Sequence, residues 1–311
     1  MTSCGRRAHP GGPGPLEGRV AVVTGAARGL GQGLAYALSR HGARVALVGL
    51  EGERLARLAA DLPGAAHWTV DVTHADELAV TAEAVRLTLG RPSVVVANAG
   101  VAIGGPLLDC DSDAWRRVIE VNVVGSALTA RCFLPDLLRT RGYYLQVASM
   151  AALAPAPLLT AYCASKAGAE AFAHALRAEV LHRGVGVGVA YLNWADTALI
   201  READETVVFR ELRTHLPWPA SVIHDPAPYV RAMVRGIERR SAHIYAPPWL
   251  RGVYAARTLL PPVVALRSRQ VLAGRGDAPL PPTGLLGPGG AAAGPVRAGG
   301  PNPDPYLHPE E

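Results

Sequence analysis

Short runs of β-branched residues alternate with longer segments of helical period from Arg19 onward. Most of the runs are apolar at nearly every position, which is typical of strands covered by helices on both faces. Strand, helix and strand in regular succession require right-handed crossovers. The pattern therefore predicts an α/β fold with a doubly wound, mostly parallel sheet in a single domain. The predicted strands are 20–24, 44–49, 67–71, 93–98, 143–149, 185–192 and 243–246, and the helices between and after them include 53–62, 74–89, 113–138, 161–182 and 228–239.

Composition excludes several classes of protein. With 49% hydrophobic residues among 311, the chain can bury a large core, so most of it is neither disordered nor fibrous. The four cysteines lie far apart, with no histidine at ligand spacing, which predicts no metal site, no disulfide framework and a cytoplasmic location. We expect no transmembrane segment. The net charge of +5 comes from scattered basic residues, so no nucleic-acid partner is predicted.

A glycine-rich turn follows the first predicted strand directly. Residues 24–31 read Thr-Gly-Ala-Ala-Arg-Gly-Leu-Gly and open a helix. Glycines let the backbone approach a pyrophosphate, and the free amides and dipole of a helix start supply positive potential there. By itself this turn is a moderate indication of a dinucleotide site.

The second candidate feature is a Tyr and a Lys four residues apart. Tyr162 and Lys166 fall on one face of a predicted helix, where an ammonium would favour the phenolate and lower the tyrosine pKa. Of the 31 Lys and Arg residues, Lys166 is the single Lys, which indicates a position where a permanently charged guanidinium does not serve. Two further polar residues strengthen this interpretation: Asn122 lies within an otherwise apolar helix, and Ser149 lies at the carboxyl end of a strand, where functional groups gather in such sheets.

Taken in order along the chain, these motifs resemble the classical short-chain dehydrogenase/reductase family from about Arg19 to Ala246. The resemblance implies a Rossmann-type sheet of seven parallel strands and a catalytic tetrad of Asn122, Ser149, Tyr162 and Lys166. It also implies an NAD or NADP cofactor. The residues expected to bind it are Thr24, Gly25, Arg28, Gly29, Leu30, Gly31, Asp71, Val72, Asn98, Ala99, Gly100, Tyr162, Lys166 and Thr197.

The family resemblance also implies a role for each tetrad residue. Tyr162 would exchange the hydroxyl proton during hydride transfer between the nicotinamide and a carbonyl or alcohol carbon. Ser149 would hydrogen-bond the substrate oxygen, Lys166 would bind the nicotinamide ribose, and Asn122 would hold a water that relays protons. Asp71 would contact the adenine, and the chain would form a homodimer or homotetramer.

Four regions follow from this assignment. We expect residues 1–18 to be a flexible N-terminal segment and residues 19–248 to form the catalytic domain. Within that domain, residues 194–219 are expected to form a lid over the active site. The apolar residues of the lid favour a small apolar alcohol or ketone as substrate. Residues 249–272 form a C-terminal extension, for which packing onto the body is favoured over docking to a membrane surface or a partner. Residues 273–311, rich in Gly and Pro, predict a disordered tail.

Two positions depart from the common family pattern. Leu192-Asn193 replaces the usual Pro-Gly after the sixth strand, and Asn is the residue other than Gly that best tolerates a left-handed turn. The second strand ends without an Asp at Gly49 or an Arg at Leu50, and Arg28 is at hand to attract a phosphate, so we favour NADP. Glu51, if it curls back toward the ribose, reverses that choice.

Two other functions fit the same sequence. A catalytically silent dinucleotide-binding or scaffold protein would keep the fold without turnover. An epimerase or dehydratase would use the same Tyr and Lys, but proteins of that kind are usually longer and carry a different glycine spacing.

Overall fold

A computed structural model describes residues 14–274 and 280–287. Seven parallel strands form one sheet, as expected, and their order is β3-β2-β1-β4-β5-β6-β7. Three strands have the predicted bounds, and the other four begin or end within two residues of them. The strands are β1 Val20–Thr24, β2 Arg44–Gly49, β3 Ala66–Thr69, β4 Pro92–Ala97, β5 Tyr143–Val147, β6 Gly186–Leu192 and β7 His243–Ala246.

Helices cover both faces of the sheet and follow the predicted succession. One expected helix, 113–138, is interrupted by a π-helical turn at Glu120–Val124, which divides it in two. The helices are α1 Gly29–Arg40, α2 Gly52–Asp61, α3 Ala75–Leu89, α4 Ser112–Ile119, α5 Gly125–Thr140, α6 Thr160–Val180, α7 Ala198–Glu205, α8 Val207–Thr214, α9 Pro226–Glu238, α10 Leu250–Ala255 and α11 Leu260–Gly274.

Alternate residues of the strands enter two separate cores. In β1, Val23 packs in the layer with α1 and α9, whereas Val22 packs in the layer with α3, α5 and α6. Both side chains are fully buried, which explains why the strand sequences show no polar face. The strand order reverses between β1 and β4, because β2 and β3 are added on one side of β1 and β4 to β7 on the other. A doubly wound sheet opens a crevice at such a point, beyond the carboxyl ends of the strands.

The run Ser112–Thr140 is long and apolar enough to cross a membrane by length and composition alone. Core helices often meet the same criterion. Here α5 packs against β4 and α3, and the turn before it places Asn122 in the protein interior. We therefore assign this run to the core of the α/β domain.

The chain ends differ from the sequence-based expectation in two places. Leu16, expected in a flexible segment, is buried in the core beneath α1, while residues 1–13 lie outside the described part. Residues 280–287, expected in the disordered tail, pack against the segment that follows β4. Leu286 pairs its backbone with Ala102 and is 4% exposed, and Thr283 donates its backbone N–H to Gly104 O at 2.7 Å. The rest of that predicted tail beyond α11 lies outside the described residues.

The C-terminal extension packs onto the body through its first half. Leu250 is fully buried, Tyr254 joins a ring cluster with Tyr191 and Tyr245, and Arg257 donates to the buried Glu170 at 2.7 Å. In contrast, no side chain of α11 is fully buried.

Candidate active site

The glycine turn between β1 and α1 brings the backbone against the end of β4. Gly25 has φ +64°, and a Cβ added there would lie 2.8 Å from Ala99 Cα. A Cβ at Gly31 would lie 2.2 Å from Gly25 O. Neither position accepts a side chain, and the first turn of α1 carries no acidic residue. The result is an open helix N-terminus suited to an anionic pyrophosphate.

Thr24 and Asn98 hold this turn in place. The Thr24 hydroxyl accepts the backbone N–H groups of Asn98 and Ala99 at 3.0 and 3.1 Å. The Asn98 amide donates to Thr24 O at 2.9 Å. Thr24 is buried and does not line the cleft, so the structure makes it a brace between β1 and β4 instead of the expected cofactor contact.

Asp71 lies at the predicted adenine end of the cleft, in a network with Arg117. Its carboxylate accepts the backbone N–H and hydroxyl of Thr73 at 2.9 and 2.8 Å, and Arg117 on α4 forms a short ion pair with it. Burial by itself would raise the pKa of Asp71, but these hydrogen bonds outweigh it and lower the pKa. Arg117 was not predicted, because nothing distinguishes it from the other arginines in the sequence.

Arg117→Met is expected to make the protein less resistant to acid. Asp71 contributes stability above the ordinary carboxyl pKa, near ~3.9, and loses it as pH falls through its own lowered pKa. Without Arg117 that pKa rises, so acid unfolding, followed by circular dichroism, begins at a higher pH, and stability at neutral pH falls by about 2 kcal/mol. Arg116→Met removes an exposed pair with Asp113 and is the control. Equal midpoints in the two variants would contradict this assignment.

Glu51 lies in the cleft at the end of β2, paired with arginine. Arg28 Nε approaches the two Glu51 carboxylate oxygens at 2.7 and 2.8 Å, and Arg54 Nε lies 3.4 Å away. The hydrogen bond to Glu51 raises the pKa of Arg28. The Arg28 guanidinium, which was expected to attract the phosphate of NADP, is therefore already paired with the Glu51 carboxylate.

Tyr162 and Ser149 meet at the inner end of the cleft. Ser149 lies two residues after the end of β5, and its hydroxyl oxygen also accepts the Ala151 N–H at 3.2 Å. Burial raises the pKa of Tyr162 to about 12, and a hydrogen bond with the Ser149 side chain acts in the opposite direction. The phenol is therefore protonated at neutral pH and able to donate its proton.

Lys166 lies one helical turn after Tyr162, as predicted, with Nζ 5.7 Å from the centre of the Tyr162 ring. Its ammonium donates to Val147 O at 3.3 Å, and burial lowers the pKa of Lys166 to about 8. We expected Lys166 to lower the pKa of Tyr162. In this structure burial is the largest influence on the pKa of Tyr162 and raises it, while the hydrogen bond with Ser149 opposes it. The contribution of Lys166 stays a prediction.

Asn122 is buried beside the cleft without lining it. Its amide exchanges two 2.9 Å hydrogen bonds with the backbone of Val101 and donates to Ser165 Oγ at 2.9 Å. Every polar atom of this side chain is thus engaged by protein, so the side chain positions α6 and the segment after β4. The expectation that Asn122 holds a water stays a prediction.

Asn193 and Thr197 follow β6 on the opposite wall. The backbone of Asn193 is not left-handed, so the turn survives without the special backbone angles that were expected there. Its Nδ2 bonds Ala220 O and Val222 O at 3.3 and 3.4 Å, while its buried Oδ1 has no partner within the described residues. Thr197 caps α7 and lies beside Gly29.

The remaining predicted residues come together as expected. Gly25, Arg28, Gly29, Leu30, Gly31, Asp71, Val72, Asn98, Ala99, Gly100, Ser149, Tyr162, Lys166 and Thr197 all line one cleft. The glycine turn, in which Gly25 and Gly31 leave no room for a Cβ, the open start of α1 and the buried Asn193 oxygen without a partner in the described residues together fit a dinucleotide. Within the described ranges no group of three His, Cys, Asp or Glu residues is placed to bind a metal.

A second, larger cavity of about 730 Å³ adjoins the cleft. Ser149, Tyr162, Asn193, Leu199 and Ile200 line both spaces. The predicted lid over 194–219 forms α7 and α8 and contributes part of the cavity wall. Val208, Phe209 and Leu212 of α8 are buried, and Phe209 and Leu212 also line the cavity, as does Trp218, which is 83% exposed.

Comparison with known proteins identifies the family. The family model described as short chain dehydrogenase matches residues 19–207, most of the sheet and the whole tetrad. The chain belongs to the short-chain dehydrogenase/reductase family. This assignment confirms the resemblance and places the chain among NAD(P)-dependent oxidoreductases.

Relatives and solved structures agree with the family. An uncharacterized oxidoreductase of Staphylococcus saprophyticus is 28% identical over 232 residues, covering 73% of this chain and 94% of its own. The probable oxidoreductase EphD of Mycobacterium tuberculosis is 35% identical over 201 residues, which are 62% of this chain and 34% of EphD. The crystal structure of a short-chain dehydrogenase/reductase from Burkholderia phymatum in complex with NAD superposes with a TM-score of 0.68 at 24% identity, covering 77% and 92% of the two chains. That similarity shows the fold.

Proposed function

We propose that this protein interconverts a secondary alcohol and a ketone with a nicotinamide dinucleotide, using Tyr162 as general acid and base. The observation that carries the proposal is the position of Ser149 and Tyr162 on the wall shared by the dinucleotide cleft and the apolar cavity. A substrate oxygen at that boundary would meet both hydroxyls while its carbon faced the cleft.

The chain's own residues divide the work. A bound nicotinamide supplies or accepts the hydride. Tyr162 donates its proton to the forming alkoxide in reduction and accepts it in oxidation, and Ser149 hydrogen-bonds the same oxygen. Lys166, with its pKa lowered to about 8 by burial, is placed to exchange protons near neutral pH. Asn122 and Ser165 fix the helix that carries both groups.

Turnover of a panel of apolar ketones and secondary alcohols, followed by absorbance of the reduced nicotinamide with each cofactor, tests the proposal. We expect saturable, cofactor-dependent turnover of at least one apolar member. Binding of the dinucleotide without redox turnover of any member would favour the silent scaffold instead. Cofactor retained through purification, with no net redox, would favour the epimerase or dehydratase. The expected cytoplasmic location and the homodimer or homotetramer stay predictions from the sequence.

For the cofactor we propose NAD over NADP, in contrast to the choice favoured by the sequence. Glu51 lines the cleft, and the sequence favoured NADP only if Glu51 did not turn toward the ribose. Its carboxylate suits the ribose hydroxyls and repels a 2′-phosphate, and it neutralises Arg28, the nearest attractive charge.

Glu51→Gln is expected to shift preference toward NADPH. The change removes the repelling charge and releases Arg28 and Arg54, so NADPH should bind about tenfold more tightly relative to NADH. Kd values from fluorescence titration of both cofactors measure the shift. Glu53→Gln, an exposed neighbour that does not line the cleft, is the control. A wild-type protein that already prefers NADPH would overturn the proposal.

A further inference from the structure

Helix α11 presents an apolar stripe to open space. Its residues at intervals of three and four lie on one face and line the large cavity, although no side chain of the helix is fully buried. These residues are Leu260, Val263, Val264, Arg267, Ser268, Val271 and Leu272. At 1.5 Å per residue the stripe is about 18 Å long. Helix faces of this kind normally bury themselves against protein, and this one faces a cavity instead.

The opposite wall of that cavity is also largely apolar. It includes Leu212 on α8, the segment from Leu216 to Ala220, and Leu158 and Leu159 before α6. Arg267 is the charged member of the stripe and is exposed, so its stem can cover apolar surface while its guanidinium reaches water. The cavity lining also includes polar residues, Glu211, Thr214 and His215 near α8 and Ser268 on α11, but apolar residues outnumber them.

The cavity is continuous with the reactive groups. The same space that touches α11 touches Ser149 and Tyr162. The volume of about 730 Å³ lies in the range of sites for small organic ligands. A ligand with its oxygen at Tyr162 therefore has room to continue along α11.

We propose that α11 is the outer wall of the substrate site and that the substrate is a ketone or secondary alcohol with a long aliphatic chain lying against the α11 stripe. The proposal rests on the proposed function and names its substrate class. It also explains why an apolar helix outside the family match lies over a cavity without burying a side chain. Each methylene that enters the cavity should strengthen binding about fourfold.

The test compares methyl ketones of increasing chain length, from methyl ethyl ketone to methyl undecyl ketone, in wild type and two α11 variants. In the wild type, kcat/KM should rise about fourfold per methylene until the cavity is filled. Val264→Trp narrows the cavity and should lower kcat/KM for methyl undecyl ketone at least tenfold while leaving methyl ethyl ketone within about twofold. Val271→Trp provides a second variant at another point of the stripe. Because no side chain of α11 is fully buried and Val264 and Val271 are only half-buried, both variants should fold.

Leu266→Trp is the matched control. Leu266 lies on the same helix, is 62% exposed and does not line the cavity. It should leave both ketones unchanged. Equal effects of Val264→Trp and Leu266→Trp, or a kcat/KM that does not depend on chain length, would overturn the proposal while leaving the proposed function intact.

Binding of two fluorescent ketones separates this proposal from turnover. Laurdan and prodan share one ring system and differ in the length of the alkyl chain. Laurdan should bind more tightly, lose affinity in Val264→Trp and be displaced by methyl undecyl ketone. That result without turnover of any ketone would support the cavity assignment and count against the proposed function. Laurdan that binds only after removal of residues 288–311 would overturn the assignment, because the chain itself would then fill the cavity.

Discussion

Tyr162→Phe is expected to lower kcat by a factor of roughly 100 or more while leaving the Kd of the dinucleotide nearly unchanged. Tyr162 and Ser149 are the hydroxyl-bearing residues that line both the cleft and the cavity. The Tyr162 pKa of about 12 keeps the phenol protonated for donation at neutral pH. Because Phe keeps the aromatic ring, the loss of kcat measures the contribution of the Tyr162 hydroxyl and not a change in packing.

Steady-state kinetics with a ketone that the wild type reduces, together with cofactor titration, measures this effect. Tyr36→Phe is the control, because the Tyr36 hydroxyl donates to Asp61 at 3.0 Å and Tyr36 does not line the cleft. Turnover of Tyr162→Phe at the wild-type rate would reject the assigned acid and base.

Lys166→Met is expected to abolish most activity and to make the protein more stable. Burial lowers the pKa of Lys166 from 10.5 to about 8, so at neutral pH the folded protein holds an ammonium at a cost. Removing that charge should raise the free energy of unfolding by up to about 3 kcal/mol. The same substitution removes a group assigned to proton exchange and ribose binding, so kcat should fall by roughly 100-fold or more.

The pH dependence of stability gives an independent readout of Lys166. Between about 8 and the ordinary lysine pKa, the unfolded chain binds a proton that the folded protein has lost, so wild-type stability rises with pH over that window. Lys166→Met should lose this rise. Lys166→Arg should also be inactive but less stable, because a guanidinium stays charged and is larger. A stable, active Lys166→Arg variant would contradict the assigned role.

The buried pairs of the site divide into those that local sequence specifies and those that it does not. Tyr162 and Lys166 share a face because four residues of α6 separate them, and the glycine turn forms because positions such as Gly25 require φ > 0. Both are properties of a few neighbouring residues. The pair of Asp71 with Arg117 joins residues 46 positions apart, and no pattern in the chain marks it.

Amino-acid composition gave a wrong prediction where contacts between distant residues order the chain. The Gly- and Pro-rich stretch after α11 has little local reason to be ordered, yet Leu286 finds a backbone partner in Ala102, 184 residues earlier by their numbers. Thr24 and Asn122 carry the right residue types for a site, but their polar atoms are engaged by Asn98, Ala99, Val101 and Ser165. Residue type and position along the chain marked Thr24 and Asn122 as important, but they did not show which groups the two side chains contact.

The sequence by itself determined the alternation of strands and helices, the glycine turn and the order of the tetrad, because periodicity, turn chemistry and helical spacing act over a few residues. Only the tertiary structure decided that Glu51 engages Arg28, that burial outweighs the Ser149 hydrogen bond in setting the pKa of Tyr162, and that α11 faces a cavity. Those outcomes depend on which distant groups pack together and how much water they exclude, and both are properties of the folded chain.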